Sequence, residues 1–364
     1  MNWTSNFSLT DMIGRDGASV NRSTSSSPLS YGKYVELMLW IGLTASISFL
    51  GLLLNLAGLT VTFWKRTAES IFNLLMSHYV AISLVNCLVN FPVHVFMVLA
   101  KWYGHSIPPD ACRTIQFFFA FGCAVSNWAD VCLSVNRFVA IVFPLHYRWW
   151  TQRSVNLAMV AFGWLLCAAA ILPLSFGLGG SMPLLRTGQC GFLPVGKWGM
   201  LVTSITAYIP YGIIAGTSLT IWMKIITVQR ARNQVQAVDG SHAIKPMGIS
   251  RRRLVVARML LMTTVWSALC NIPWGVIQFS FPGLYVTDPI SVLWLRTVQV
   301  LQFGAFPVIL YATNEDYRKR FFVLLARSGA KKRVLIRSLN STVGAPLEMA
   351  SNLAGKSARL VDGD

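Results

Sequence analysis

Charge is scarce in this 364-residue chain. Asp, Glu, Lys and Arg together make up 12% of it, about half the share of an ordinary soluble domain. Acids are scarcer still, 13 against 31 bases. Paired carboxylates, a nucleophile–base set and metal-ligand spacing are missing, and none of the seven cysteines forms a Cys-x-x-Cys pair. Neither an enzyme, a bound cofactor nor a metal centre is therefore expected. No internal repeat is visible, which weighs against an inverted-repeat transporter. No cysteine follows Cys270, so the C-terminal part has no thiol to palmitoylate. No cleavable signal peptide is evident either: residues 1–34 are polar and serine-rich, a composition suited to disorder.

What fills the chain instead is apolar surface. It is 54% hydrophobic, with a mean hydropathy of +0.54. Apolar runs fall at roughly 35–63, 70–99, 111–143, 154–176, 199–225, 253–281 and 289–312. Each is long enough to cross a bilayer core of about 30 Å as a helix. An amphipathic helix is expected at about 314–326. The expected fold is all-α: a seven-transmembrane helix bundle with an eighth amphipathic interfacial helix. Residues 1–34 form an N-terminal tail, 35–326 the membrane domain and 327–364 a C-terminal tail.

The net charge is +18, which could suggest nucleic acid, but its placement argues otherwise. If the loop at 64–69 faces the cytoplasm, only Arg15, Arg22, Lys33, Lys101, Arg113, Arg186, Lys197 and Arg296 of the 31 bases fall on the other side. Basic residues concentrate on cytoplasmic loops, so the N-terminus is expected outside and the tail inside. The charge then meets anionic lipid of the inner leaflet, and no nucleic-acid partner is expected. The outer tail carries glycosylation sequons at Asn2, Asn6 and Asn21. Five cysteines fall inside spans. Cys112 and Cys190 sit at one aqueous face, where an oxidising environment favours a disulfide between them.

Cys112 precedes Arg137 by 25 residues along one apolar stretch. At 1.5 Å per residue that is about 37 Å, slightly more than a bilayer core. One helix would carry a thiol at one membrane face and a fixed cation at the other. This resembles the third span of rhodopsin-like G-protein-coupled receptors, and other landmarks follow in order: Asn55, Trp102, Trp164, Pro173, Pro210, Pro273, Pro307 and the run Asn314–Phe321. The resemblance covers about residues 35–326. It implies a plasma-membrane receptor that converts binding of an extracellular ligand into activation of a heterotrimeric G protein, with arrestin as a further partner. On it, Asn136, Arg137 and Phe138, with Pro144 and Leu145 on the following loop, are the coupling residues. Pro273 and Pro307 would act as pivots for the inner half of the bundle, since proline removes a backbone hydrogen bond and kinks its helix.

The departures from the family pattern cluster in its switch. The acid that precedes the arginine in the family is Asn136 here, and the inner end of the sixth span carries Arg251, Arg252 and Arg253 where many members have an acid. The usual ionic restraint on Arg137 is thus missing, and raised basal activity is expected. The second-span aspartate position holds Leu84, the tryptophan beneath the pocket is Asn271, and the fifth-span tyrosine is Ser218. Tyr311 comes one position late after Pro307. Conversely, Asp130 stands mid-span where the family has an aliphatic residue, seven residues before Arg137. A charge there costs about 2.5–3.5 kcal/mol on insertion scales and normally faces the bundle interior. Asp130 is expected to form a polar core with Ser126, Asn127 and Asn55, joined by Asn86, serving either as a switch or as a structural network.

The ligand pocket is expected between the outer halves of the spans. Phe119 occupies the place of the aspartate of amine receptors, which argues against a monoamine. Gln116, Tyr208, Trp274, Gln278 and Gln299 are expected around it, with Arg296 in the outer seventh span. A guanidinium matches carboxylate geometry, so an anionic group on a peptide, lipid or other organic acid is the expected ligand feature. The alternative is that Arg296 pairs inside the protein, with Glu36 or Asp288. Two other functions stay open: a receptor-like binding protein that does not couple, and a transporter or channel lined by Asp130.

Overall fold

The computed structural model describes residues 31–63, 70–150, 152–185, 188–238, 251–280, 284, 288–313, 315, 317–324 and 326. The sequons at Asn2, Asn6 and Asn21, most of the basic C-terminal tail and the loop 239–250 lie outside them, as does the side chain of Gln278.

Among the described residues, seven long helices follow in chain order. They are α1 (Tyr31–Phe63), α2, α3 (Pro109–Val142), α4 (Arg153–Ser175), α5, α6 (Arg251–Ser280) and α7 (Pro289–Thr313). Helix α2 runs Ser70–Val85, then a π-helical turn Asn86–Asn90, then Phe91–Trp102. Helix α5 runs Gly196–Thr203, a π-helical turn Ser204–Tyr208, then Ile209–Val238. Among the described residues, α1–α5 and α7 are long and apolar enough to cross a membrane. A helix is present at each expected span, with one correction: α5 continues to Val238, so the loop expected from residue 226 begins as helix. Its polar extension Gln229–Gln236 contains neither Pro nor Gly, so nothing in it stops the helix. A one-turn helix, Tyr147–Trp150, links α3 to α4.

Helix α3 is central: it packs on α2, α4, α5 and α6, while α7 closes the ring against α1. The α1–α7 contact is close because both sides are glycine. A Cβ on Gly51 would stand 3.0 Å from the Cα of Gly304 and 2.9 Å from Cys87 Sγ. Small residues serve this purpose in bilayers, where helices gain by close van der Waals approach rather than by a hydrophobic force.

The prolines explain much of the polar contact between spans. Proline has no N–H, so it leaves a carbonyl four or, in a π-turn, five residues earlier without its helical donor. In lipid that carbonyl must be satisfied by protein. Pro92 ends the first π-turn, and Ser48 Oγ of α1 donates to the Cys87 carbonyl at 3.1 Å. Pro210 ends the second, and α3 supplies both donors: Trp128 Nε1 to Ile205 O (3.0 Å) and Asn127 Nδ2 to Thr206 O (3.0 Å). For Pro307, Asn55 Nδ2 of α1 donates to Phe303 O at 3.0 Å.

Between α4 and α5 the chain forms a hairpin, β1 (Gly180–Ser181) antiparallel to β2 (Leu193–Pro194), continued by a bridge between Leu184 and Cys190. At its turn Gly188 has φ +85° and lies against Lys101, where a Cβ would overlap the lysine stem. This conformation and this space both call for glycine. The described residues divide into two units between Thr313 and Asn314. In the second, residues 317–324 are helical, with the Phe321 and Phe322 rings 6.0 Å apart and an exposed Arg318–Glu315 pair at 3.9 Å.

Candidate functional site

The Cys112 end holds the first cluster. The expected disulfide is present: Cys112, at the start of α3, is bonded to Cys190 of the hairpin, and both are fully buried with Met97 among Val93, Ile107, Ile115 and Leu184. Beneath it lies Arg296 of α7, 3% exposed. Its Nη2 donates to the Cys190 carbonyl at 2.8 Å, and Nη1 lies 3.2 Å from His94 Nδ1 of α2. That contact is a hydrogen bond when the ring nitrogen carries no proton. The guanidinium also stands over the rings of Phe119 (4.7 Å) and Trp274 (5.3 Å), where the π faces attract a cation.

Four helices and the hairpin thus converge on one cation. Phe119 packs edge-on against His94 at 4.5 Å and against Phe91 at 5.7 Å. Gln116 and Gln299 are buried nearby in sequence, one turn from Phe119 and Arg296 respectively, and the Oε1 of each has no protein partner among the described residues. Tyr208 differs from these, being half exposed on the π-turn of α5. The acids considered as internal partners for Arg296 are engaged elsewhere: Glu36 accepts from Trp294 Nε1 and Asp288 from Ser291 Oγ. His94 was not anticipated from the sequence, although a histidine in an apolar span is itself a signal.

The mid-membrane cluster is arranged differently from the expectation. Asn55 and Asn127 do not join Asp130. Asn55 caps Phe303 O and Gly51 O, while Asn127 caps Thr206 O and accepts from Tyr211 Oη at 3.1 Å. Asn86 accepts from Asn90 Nδ2 within its own π-turn. Ser126 Oγ is buried and makes no hydrogen bond to Asp130. Helix prolines claimed the asparagines, a demand that outranks clustering because each freed carbonyl has a fixed place. Asp130, 5% exposed, instead accepts from Ser267 Oγ of α6 at 3.5 Å. Gln302 Nε2 of α7 donates to the same Ser267 hydroxyl at 3.4 Å. Asn271 completes the set, donating to Gln302 Oε1 and to Ser267 O. So α3, α6 and α7 meet at one polar network.

At the opposite end of α3, Arg137 is 8% exposed and Asn136 3%. Asn136 Nδ2 donates to Asn156 Oδ1 of α4 at 3.4 Å. Asn156 in turn donates to the carbonyls of Trp150 and Gln152, so Asn136 ties α3 to the start of α4. Phe138 packs with Ile141 on Ile221 and Ile225 of α5. Leu145, on the turn after Pro144, is 92% exposed. Ser218 bonds Thr264, joining α5 to α6 at 2.9 Å.

A seven-helix membrane receptor is the class these features define. The family model for 7 transmembrane receptors (rhodopsin family) matches residues 54–293. The chain belongs to that family. It is 27% identical over 157 residues to olfactory receptor 1E2 of Gorilla gorilla gorilla, covering 38% of this chain and 49% of that receptor. It is 27% identical over 137 residues to the cholecystokinin receptor type A of Rattus norvegicus, covering 37% of this chain and 30% of the receptor. The chain thus spans about half the length, or less, of these curated relatives.

Proposed function

We propose that this chain is a G-protein-coupled receptor of the plasma membrane, with residues 1–34 outside, 35–326 as the receptor domain and 327–364 as an inner tail. Ligand enters at the Cys112 end and presents an anionic group to the Arg296 cluster. A heterotrimeric G protein, and after it arrestin, engages the Arg137 end. The relatives' names, an olfactory and a cholecystokinin receptor, point to no single ligand class. Phe119 beneath the hairpin leaves a monoamine without the acid it would need.

The observation that carries the reading is the pair Asn136–Arg137. The arginine is kept and buried, while the residue before it is neutral and spends its side chain on Asn156 of α4. A neutral neighbour cannot restrain a guanidinium as a carboxylate does, so basal activity is raised. The test is G-protein activation in cells across all Gα classes without added ligand, against Arg137→Ala at equal surface expression. Basal activation that the mutant loses supports the reading. Activation equal to empty vector in every class, persisting when carboxylate ligands are supplied, refutes coupling.

A further inference from the structure

We propose that Asp130, Ser267, Gln302 and Asn271 form a mid-membrane latch that holds α6 closed against α3 and α7. The inference rests on the coupling function proposed above and concerns its regulation. Three observations converge. The four side chains come from three helices, α3, α6 and α7, and meet at one place in the bundle interior. Ser267 is the common member: its hydroxyl donates to Asp130 and accepts from Gln302, and its carbonyl accepts from Asn271. The network also lies on the Arg251 side of Pro273, the one proline inside α6.

That last placement gives the latch leverage. Ser267 precedes Pro273 by six residues and Arg251 precedes it by 22. At 1.5 Å rise these are arms of about 9 and 33 Å. If α6 swings about Pro273, a 1 Å shift at Ser267 corresponds to about 4 Å at the Arg251 end. The Ser267–Asp130 bond is already 3.5 Å long, the limit of a hydrogen bond. Opening the Arg137 end by more than about 4 Å therefore breaks it. Asn271, only two residues from the proline, moves little in the same swing, so its bond to Gln302 survives and re-aligns Ser267 on return. The latch restrains opening without preventing it.

The test uses the full chain at matched surface expression. Ser267→Ala and Asp130→Leu each remove the α3–α6 bond and are expected to raise ligand-independent G-protein activation about three- to tenfold. Ser267→Thr, which keeps the hydroxyl, should fall back toward the unmodified chain. A structural role alone would lower expression and signal together without a rise per receptor. Unchanged activation per receptor in both variants, with the Arg137-dependent signal intact, overturns the latch. If no form of the chain activates any G protein, the coupling reading fails and the latch is judged separately. Paired nitroxide labels at Arg153→Cys on α4 and Val255→Cys on α6 of the purified chain then report the spacing. A longer or broader distance distribution in Ser267→Ala supports the latch, and an unchanged one overturns it.

Discussion

The contact between Asn55 and Phe303 offers a clean test of how this bundle spends its polar residues. Pro307 denies the Phe303 carbonyl its helical donor, and Asn55 Nδ2 supplies one at 3.0 Å across the α1–α7 interface. The second Asn55 bond, to Gly51 O at 2.8 Å, lies within α1, where that carbonyl also has a backbone donor. Asn55→Ala therefore orphans one buried carbonyl. In water-soluble proteins that costs about 1–3 kcal/mol. Between membrane helices measured couplings average about 0.6 and reach about 1.7 kcal/mol. A cost of about 1 kcal/mol is expected for the bond, plus whatever the small cavity adds.

The cavity can be removed from the comparison by a double-mutant cycle with Pro307→Ala. Alanine at 307 restores an N–H to Phe303 O, so Asn55 is no longer needed there, while the cavity left by Asn55→Ala is the same in both backgrounds. Unfolding of the purified chain in detergent is expected to show Asn55→Ala costing about 0.6–1.7 kcal/mol less in the Pro307→Ala background than in the native one. Equal costs in the two backgrounds would refute the claim that Asn55 is placed to cap a proline-freed carbonyl.

Other outcomes follow from the same geometry. Trp128→Phe keeps a ring beside Phe162 but removes the donor to Ile205 O, and should lower stability by about 1 kcal/mol, an effect that Pro210→Ala reduces. Cys112→Ser opens a loop with a separation of 78 residues, which chain entropy values at about 4.5 kcal/mol. Surface expression at 37 °C should be largely lost, because Arg296 also loses a fixed acceptor at Cys190 O. Asn136→Asp places a carboxylate beside Arg137 and should lower basal G-protein activation several-fold in the assay used for Arg137→Ala. If basal activation is unchanged, the neutral asparagine is not the source of the basal signal.

Much of this was legible in the chain because lipid imposes blunt rules. Apolar length located the spans, and only the end of α5 was misjudged, since helix continued into polar sequence where hydropathy fell away. The disulfide was readable because five of the cysteines sit in apolar runs. The polar core was not readable in the same way. Asp130, Asn55 and Asn127 are all mid-span, and one helix period places Ser126 and Asp130 on one face. Their partners, however, depend on how the neighbouring helices are rotated, which hydropathy does not encode. The signal that would have sorted them was proline. A proline inside a span frees a carbonyl four or five residues earlier, and near those of Pro92, Pro210 and Pro307 the neighbouring helices supply Ser48, Asn127 with Trp128, and Asn55.

That sorting also says which helix is free to move. The caps join α1 to α2, α3 to α5 and α1 to α7 through donors at 3.0–3.1 Å, among them donors to the Cys87, Ile205 and Phe303 carbonyls that a proline leaves without a helical partner. Breaking those at Cys87, Ile205 and Phe303 leaves an orphan in lipid, so α1 is braced to α2 and α7, and α3 to α5. Helix α6 is held by a different kind of contact. Among its described side chains, Thr264 bonds Ser218, Ser267 bonds Asp130 and Gln302 at 3.5 and 3.4 Å, and Asn271 donates to Gln302. These are hydroxyl, amide and carboxylate groups that can exchange partners with one another or with water, and losing them strands no backbone carbonyl. The cost of displacing α6 is correspondingly smaller, exchangeable side-chain bonds rather than an unsatisfied peptide group. A receptor needs one element that moves at modest cost against others that do not. Here the prolines brace α1, α2, α3, α5 and α7, and the long Ser267–Asp130 bond bears on how easily α6 departs from α3.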